Sequence, residues 1–300
     1  MNPNANTRDL PIFVKHPMGA CTVKMEALPA LPYPMYGQQK FDGVRVLVTP
    51  LQGVITRKGK PVANLALRAI LSTIPLPDGF ALDAELTTTS GWFKDADRMV
   101  RTRQSSADGH VLRVFDLVPT LRSTQFTPFA ARIRIRDAWL ASLDPSDVKA
   151  TISLVETTLL KNKSQTRQYV FDALNSNYEG AILRSSESLY VQSRSTLASY
   201  AMLRFKFVET VDCKVLSMWA AVDKFGNTKS ELGSLVVTSL AHNMPFSVGT
   251  GFTSEQRVEI WRNSRKYTGA ICEIEYLRAK LIDGVPDRAR QPSFKGWKDV

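Results

Sequence analysis

The chain has 300 residues, 44% hydrophobic and 22% charged, enough apolar material for a substantial core. Its 39 Lys and Arg against 28 Asp and Glu give a formal net charge of +11, which suits a polyanionic partner. No apolar run has the length of a membrane span, and the three scattered cysteines, Cys21, Cys213 and Cys272, argue against a zinc site or a disulfide framework.

In chain order, residues up to about Tyr36 are rich in Pro and Met and form an extended lead-in. Within it, Leu10 to Val14 is too short and too Pro-broken for a signal-peptide core. Val44–Val48 and Val54–Arg57 are β-rich runs around Gln52-Gly53. An antiparallel hairpin there brings Arg45 and Arg57 together at one end. The periodicity predicts helices over Ala63–Ile74, Pro128–Leu143 and Ser164–Leu174. Strands are expected over Ala81–Leu86, Val111–Val118, Ala181–Arg184 and Met202–Val208. The basic segment Arg98 to Arg103 is either a track for DNA phosphates or a solvated helix face. Beyond Val208 the chain turns to strands at Val211–Trp219, Gly233–Leu240, Phe246–Val248 and Ala270–Leu277. Thr253-Ser254-Glu255-Gln256 is a capping box that opens one helix over Glu255–Asn263. Strands around one helix suit a small OB-type barrel. The expected class is α+β, with domains over 1–208 and 209–300.

Lys40-Phe41-Asp42-Gly43-Val44-Arg45 reads K-x-D-G-x-R. A lysine amine attacks only after losing its proton, which nearby cations favour; Arg45, Arg57 and Lys206 are candidates. Asp42-Gly43 suits a tight turn, with Gly43 tolerating an unusual φ. On Ala81–Leu86, alternation puts Asp83 and Glu85 on one face, as a site or simply as the wet side of the strand. It puts Phe115 and Asp116 on opposite faces of theirs. Arg204 and Lys206 share one face, while Leu203, Phe205 and Phe207 share the other. That pattern fits two cations held over a phosphate, and equally a half-buried amphipathic strand.

Further blocks follow the lysine motif in order: Thr56-Arg57-Lys58-Gly59, Leu82-Asp83-Ala84-Glu85-Leu86, Val114-Phe115-Asp116-Leu117, Glu179-Gly180-Ala181-Ile182-Leu183-Arg184 and Leu203-Arg204-Phe205-Lys206. Over nearly the whole chain these resemble the nucleotidyltransferase motifs of the ATP-dependent DNA ligases. Arg290-Gln291-Pro292-Ser293-Phe294 looks most like the small ligases of tailed bacteriophages. The resemblance implies an N-terminal nucleotidyltransferase (ATP-grasp-like ligase) domain of antiparallel sheets and helices, followed by an all-β OB-fold domain. It implies sealing of 5′-phosphate/3′-hydroxyl nicks in duplex DNA, in replication, repair or recombination. ATP is the implied cofactor, with Mg²⁺ or Mn²⁺. The implied protein is a monomer without membrane association, in the cytoplasm (the host's, if phage-encoded).

By the same resemblance Lys40 is the nucleophile that forms a lysyl-AMP. Glu85 contacts the ribose or a metal, Glu179 holds the metal and Phe115 stacks on adenine. Gln38, Gln39, Phe41, Arg45, Arg57, Arg194, Arg204 and Lys206 are further nucleotide-binding candidates. Arg204 departs from the family's usual lysine and replaces a point charge with a planar fork. The R-x-D-K element of larger ligases is absent. Pro292 to Asp299 stands in its place, where Lys298 or Lys295 takes the pyrophosphate contact. RNA ligases and mRNA-capping guanylyltransferases share this core. A third reading, an inert OB-type nucleic-acid-binding protein, is opposed by the intact lysine, both glutamates and the cation pair.

Overall fold

The computed structural model describes residues 9–144, 146, 149–176, 178–206, 208–240, 245–277, 281–282, 285–286 and 290–298. The chain separates into two compact units, Met1–Phe205 and Lys206–Val300.

The first unit opens with an extended strap that leads to β1 (Cys21–Thr22). Then come β2 (Met35–Lys40), the hairpin β3 (Val44–Thr49) and β4 (Gly53–Thr56), α1 (Leu65–Leu71), β5 (Phe80–Thr88), α2 (Phe93–Arg101) and β6 (His110–Pro119). It continues with α3 (Phe129–Ser142), β7 (Ile152–Leu154), β8 (Thr157–Leu160), α4 (Lys163–Asn175), β9 (Gly180–Ser185) and β10 (Leu203–Lys206). Two five-stranded sheets result, β1-β10-β9-β2-β8 and β4-β3-β5-β6-β7. α1 starts later than its apolar period suggests, because Asn64 caps it: its side chain accepts from Leu67 N at 3.0 Å.

The strands of the second sheet divide their side chains between two cores. Val46, Val48, Leu82, Ala84, Leu86, Leu112, Val114 and Leu117 pack in one core with Leu67 and Leu71 of α1 and Met99 of α2. Each such buried aliphatic contributes roughly 1.5–3 kcal/mol. Leu47, Ala81 and Val118 face the other way, packing with Met18, Tyr190 and Met202; Phe115 and Ile182 lie half-buried against them.

β6 is not regular. Asp83 pairs with Asp116 and Ala84 with Val114, so Phe115 is an extra residue, a β-bulge. The expectation that Phe115 and Asp116 point to opposite faces is therefore corrected. Val114 and Leu117 both enter the helix-side core, and the two residues between them face the other sheet.

The second unit comprises β11 (Val208–Val222), β12 (Thr228–Ser239), β13 (Pro245–Val248), α5 (Ser254–Arg262), α6 (Ser264–Tyr267), β14 (Ile271–Leu277), β15 (Leu281–Ile282), β16 (Val285–Pro286) and β17 (Arg290–Trp297). Its main sheet runs β13-β12-β11-β14-β17. A bridge between Thr250 and Ser293 joins its two ends, closing a small barrel of OB type. Gly251 permits the closure: its φ is +94°, and a Cβ there would stand 2.3 Å from Phe294 O. Cys213, Val215, Leu235, Ile260, Cys272, Ile274 and Phe294 fill the interior. The capping box forms as expected, with Thr253 and Gln256 bonded reciprocally. Phe207 lies outside the described residues. Among the described residues, no helix is long and apolar enough to cross a membrane.

Candidate active site

Lys40 ends β2, paired with Gly180 of β9. Glu179 N donates to Lys40 O at 3.0 Å, and the Lys40 ammonium is ion-paired with the Glu179 carboxylate. Both side chains remain open to solvent, 21% and 11% exposed, so the pair can be reached. Glu85, on β5, belongs to the same cluster. Burial pushes its carboxyl up to about 7, with Glu179 and Asp83 adding and Lys40 and Arg45 opposing.

Gly43 holds this corner together for a reason other than the expected one. Its φ is not in the left-handed region. A Cβ there would instead lie 2.3 Å from Leu86 O and 2.9 Å from Glu85 Cγ, so only glycine lets β3 approach β5 beside Glu85.

Arg45 is buried and fully engaged. Its Nε and Nη2 donate to the Asp83 carboxylate at 2.7 and 2.5 Å, and Nη1 donates to Met18 O at 2.7 Å. Tyr190 Oη donates to the same Asp83 at 2.7 Å. Burial works against the Arg45 charge, but Asp83, Tyr190 and Glu85 outweigh it. Arg45 therefore shapes the pocket instead of presenting a free fork to a phosphate. The hairpin does align it with Arg57, since Val46 pairs with Thr56.

Beneath Phe115 lies a charged interior that the sequence pattern does not reveal. Asp116 is fully buried and accepts from Arg132 Nε and Nη2 at 2.8 and 3.1 Å and from Leu117 N at 2.8 Å; it is also ion-paired with Arg184. Burial alone would raise the Asp116 carboxyl, yet Arg132 and Arg184 carry it below the ordinary range. Arg184 Nε and Nη2 find no acceptor. The guanidinium instead lies 4.7 Å from the Phe129 ring centroid and 5.7 Å from that of Phe115. Arg132 and Arg136 lie at helical spacing on α3, and their burial is hidden because arginines in a sequence read as a solvated face.

The Gln38 side chain is buried and supports Phe115: its amide donates to Phe115 O at 2.8 Å and to Thr157 Oγ1 at 3.0 Å. Gln39 follows it on β2 and is half-buried. Alternation along β2 turns it away from Lys40, to the face where Gly37 meets Tyr169 of α4. Phe41 lies edge-on to Tyr178 (5.1 Å), with Arg113 over its ring at 4.3 Å.

Arg204 Nε donates to Thr22 Oγ1 at 2.7 Å. Burial lowers its pKa, Arg194 and Arg57 lower it further and Glu179 opposes, so these three arginines lie together near Glu179. Lys206 closes β10. Lys298 belongs to the second unit, 3.4 Å from Asp212, and Lys295 pairs there with Glu275 at 3.2 Å. Arg98 and Arg103 are exposed around Arg101, which pairs with Asp97 at 2.6 Å.

No protein-family model matches the chain. It is 26% identical to the DNA ligase of Haemophilus influenzae over 222 residues, 73% of each chain. Among solved structures it matches a Lig E DNA ligase with a TM-score of 0.72 at 19% identity, over 95% of this chain and 100% of that one. The fold is that of the DNA ligases. The Chlorella virus DNA ligase-adenylate matches with a TM-score of 0.56 at 24% identity, over 96% of this chain and 99% of its own. The ligase fold accounts for both units in one chain, a mixed two-sheet unit followed by a closed β-barrel.

Proposed function

We propose that the protein is an ATP-dependent DNA ligase that seals nicks through a lysyl-AMP. The observation that carries this reading is Lys40 ion-paired with Glu179, with Glu85 close enough to interact with both and three arginines clustered about Glu179. Lys40 sheds the Glu179 contact and a proton and attacks the ATP α-phosphate; pyrophosphate leaves and a P–N bond joins AMP to Nζ. The nick's 5′-phosphate then displaces Lys40 from AMP. The 3′-hydroxyl attacks the activated phosphate, and AMP departs as the strand closes. Arg57, Arg194 and Arg204 offset the charge on the transferring phosphoryl groups. Phe115, aimed by its bulge, offers a face for adenine, and half-buried Ile182 provides a second apolar surface of the same cluster.

Glu85 and Glu179 fit a divalent ion that takes most of its ligands from phosphate and water, as Mg²⁺ does. No larger group of His, Cys, Asp or Glu suited to a metal occurs among the described residues. Such an ion supplies charge neutralisation at the phosphates. The same reading has the protein working as a monomer on nicked duplex DNA in the cytoplasm.

The test is incubation with α-labelled ATP and Mg²⁺, followed by denaturing electrophoresis and a nick-sealing assay. Wild type should form a gel-stable AMP adduct that nicked DNA discharges. Lys40→Ala should form none, yet retain some sealing of a pre-adenylylated nick. Labelling of Lys40→Ala at the wild-type rate would overturn the assignment. Sealing confined to RNA would place the protein among the RNA ligases.

A further inference from the structure

The strap that precedes β1 lies along both loops that carry the exposed arginines. Lys15 N donates to Gln192 Oε1 at 2.7 Å, and Gln192 Nε2 donates to Phe13 O at 3.0 Å. Gly19 N donates to Ser193 O at 2.9 Å and Ser195 N to Gly19 O at 2.7 Å, so the strap is bound on both sides of Arg194. On its other flank the strap meets the turn after β4. Gly59 there has φ +71°, and a Cβ would stand 3.3 Å from Lys15 O. That turn carries Arg57 and Lys58. Farther along, Thr22 accepts the bond from Arg204. One extended segment thus gathers Arg57, Lys58, Arg194 and Arg204, and it adds Lys15.

These five cations gather with few carboxylates near them among the described residues. Among the described residues none of them forms an ion pair with a carboxylate. Lys15, Arg57, Lys58 and Arg194 are exposed, while Arg204 is partly buried and lies near Glu179. The group therefore reaches from Arg204, near Glu179, to four exposed cations on the strap and the loops it binds. A nucleotide has a fixed, short run of phosphates, which the inner arginines suffice to meet. A DNA strand repeats its charge about every 3.4 Å of helix axis, and a cation group that extends onto the exposed strap and turn suits such an extended polyanion.

We infer that Lys15 and Lys58 form an outer clamp on the backbone phosphates of the DNA strand entering the Lys40 site, with the strap holding the clamp in register. The inference rests on the ligase reading and adds two residues to its DNA footprint.

The experiment uses the full chain, with Lys15 and Lys58 both changed to Ala, and a charge-preserving control with both changed to Arg. Binding to nicked duplex is measured against salt, and adduct formation against ATP concentration. Each cation–phosphate pairing removed makes the slope of log affinity against log salt shallower by about 0.9, so the double Ala variant should lose roughly 1.8 and bind on the order of 10-fold more weakly at moderate salt. Its KM for ATP in adduct formation should match wild type, and the Arg control should restore the slope. An unchanged slope with a raised KM for ATP would assign the two lysines to the triphosphate and overturn the clamp. An unchanged slope and an unchanged KM would make them ordinary solvated lysines and overturn it equally. Both results leave the ligase reading intact. A wild-type protein that forms no AMP adduct and seals no nick would remove that reading, and the clamp with it.

Discussion

Replacing Asp116 by Asn keeps the shape of the side chain and removes the carboxylate that pairs with two buried arginines. In wild type, Arg132 and Arg184 both close on this carboxylate, and all three side chains are inaccessible to solvent. Breaking a buried pair from one side costs about 3–5 kcal/mol, because the remaining charge is left without compensation. Here two cations are stranded, and Arg184 already has two donors without acceptors, so the upper end of that range is expected. For a unit of this size each kcal/mol moves Tm by about 2–4 °C, so about 5 kcal/mol gives a fall of roughly 10–20 °C. The assay is thermal and urea unfolding of both proteins over a range of pH. The pKa of Asp116 is depressed by folding, so its contribution is present above the unfolded carboxyl pKa, near 4, and is lost as pH falls through the lower folded value. The stability gap between wild type and Asp116→Asn should therefore be full at neutral pH and close in strong acid. A Tm change under about 2 °C at pH 7, or a gap independent of pH, would refute the account of this interior.

Gly43→Ala should leave the protein folded but slow adduct formation by about 10²-fold, since the new Cβ must displace the Leu86 backbone beside Glu85; circular dichroism with single-turnover labelling checks this, and wild-type rates would show that the contact is harmless. Glu85 has its pKa raised to about 7 by folding, so its contribution is fully present below about 4.3 and is lost as pH rises through 7. Glu85→Gln lacks this loss, and the difference in Tm between variant and wild type should move in the variant's favour between pH 5 and 8; parallel pH profiles would contradict it.

Much of this architecture was legible because it is local. Strand alternation identified which side of β5 carries Asp83 and Glu85, and the hairpin around Gln52-Gly53 aligned Arg45 with Arg57. The capping box at Thr253 located α5 because a cap is written in four adjacent residues. β17 went unread for the opposite reason. Its pairing with β14 and its bridge to Thr250 are long-range, and Arg290 to Trp297 has no period of its own. Gly43 was noticed and misexplained, since a sequence shows that a glycine is present but not which backbone it must approach.

The bulge at Phe115 shows most clearly where sequence reasoning stops. Alternation fails at one inserted residue, and nothing in Val114-Phe115-Asp116-Leu117 marks the insertion. Its consequences are large. A regular strand would send one of Phe115 and Asp116 into the helix-side core. The bulge instead sends both toward the other sheet, Phe115 to the pocket and Asp116 to Arg132 and Arg184. A carboxylate placed there demands cations, and α3 supplies one from a face whose sequence looks solvent-exposed. The Phe115 ring and the charge network beneath it are thus one device, produced by a single backbone irregularity. The arginines that look like surplus charge in the composition divide accordingly. Arg45, Arg132, Arg136 and Arg184 are engaged as internal struts, while Arg57 and Arg194 stay exposed and Arg204 is partly buried near Glu179.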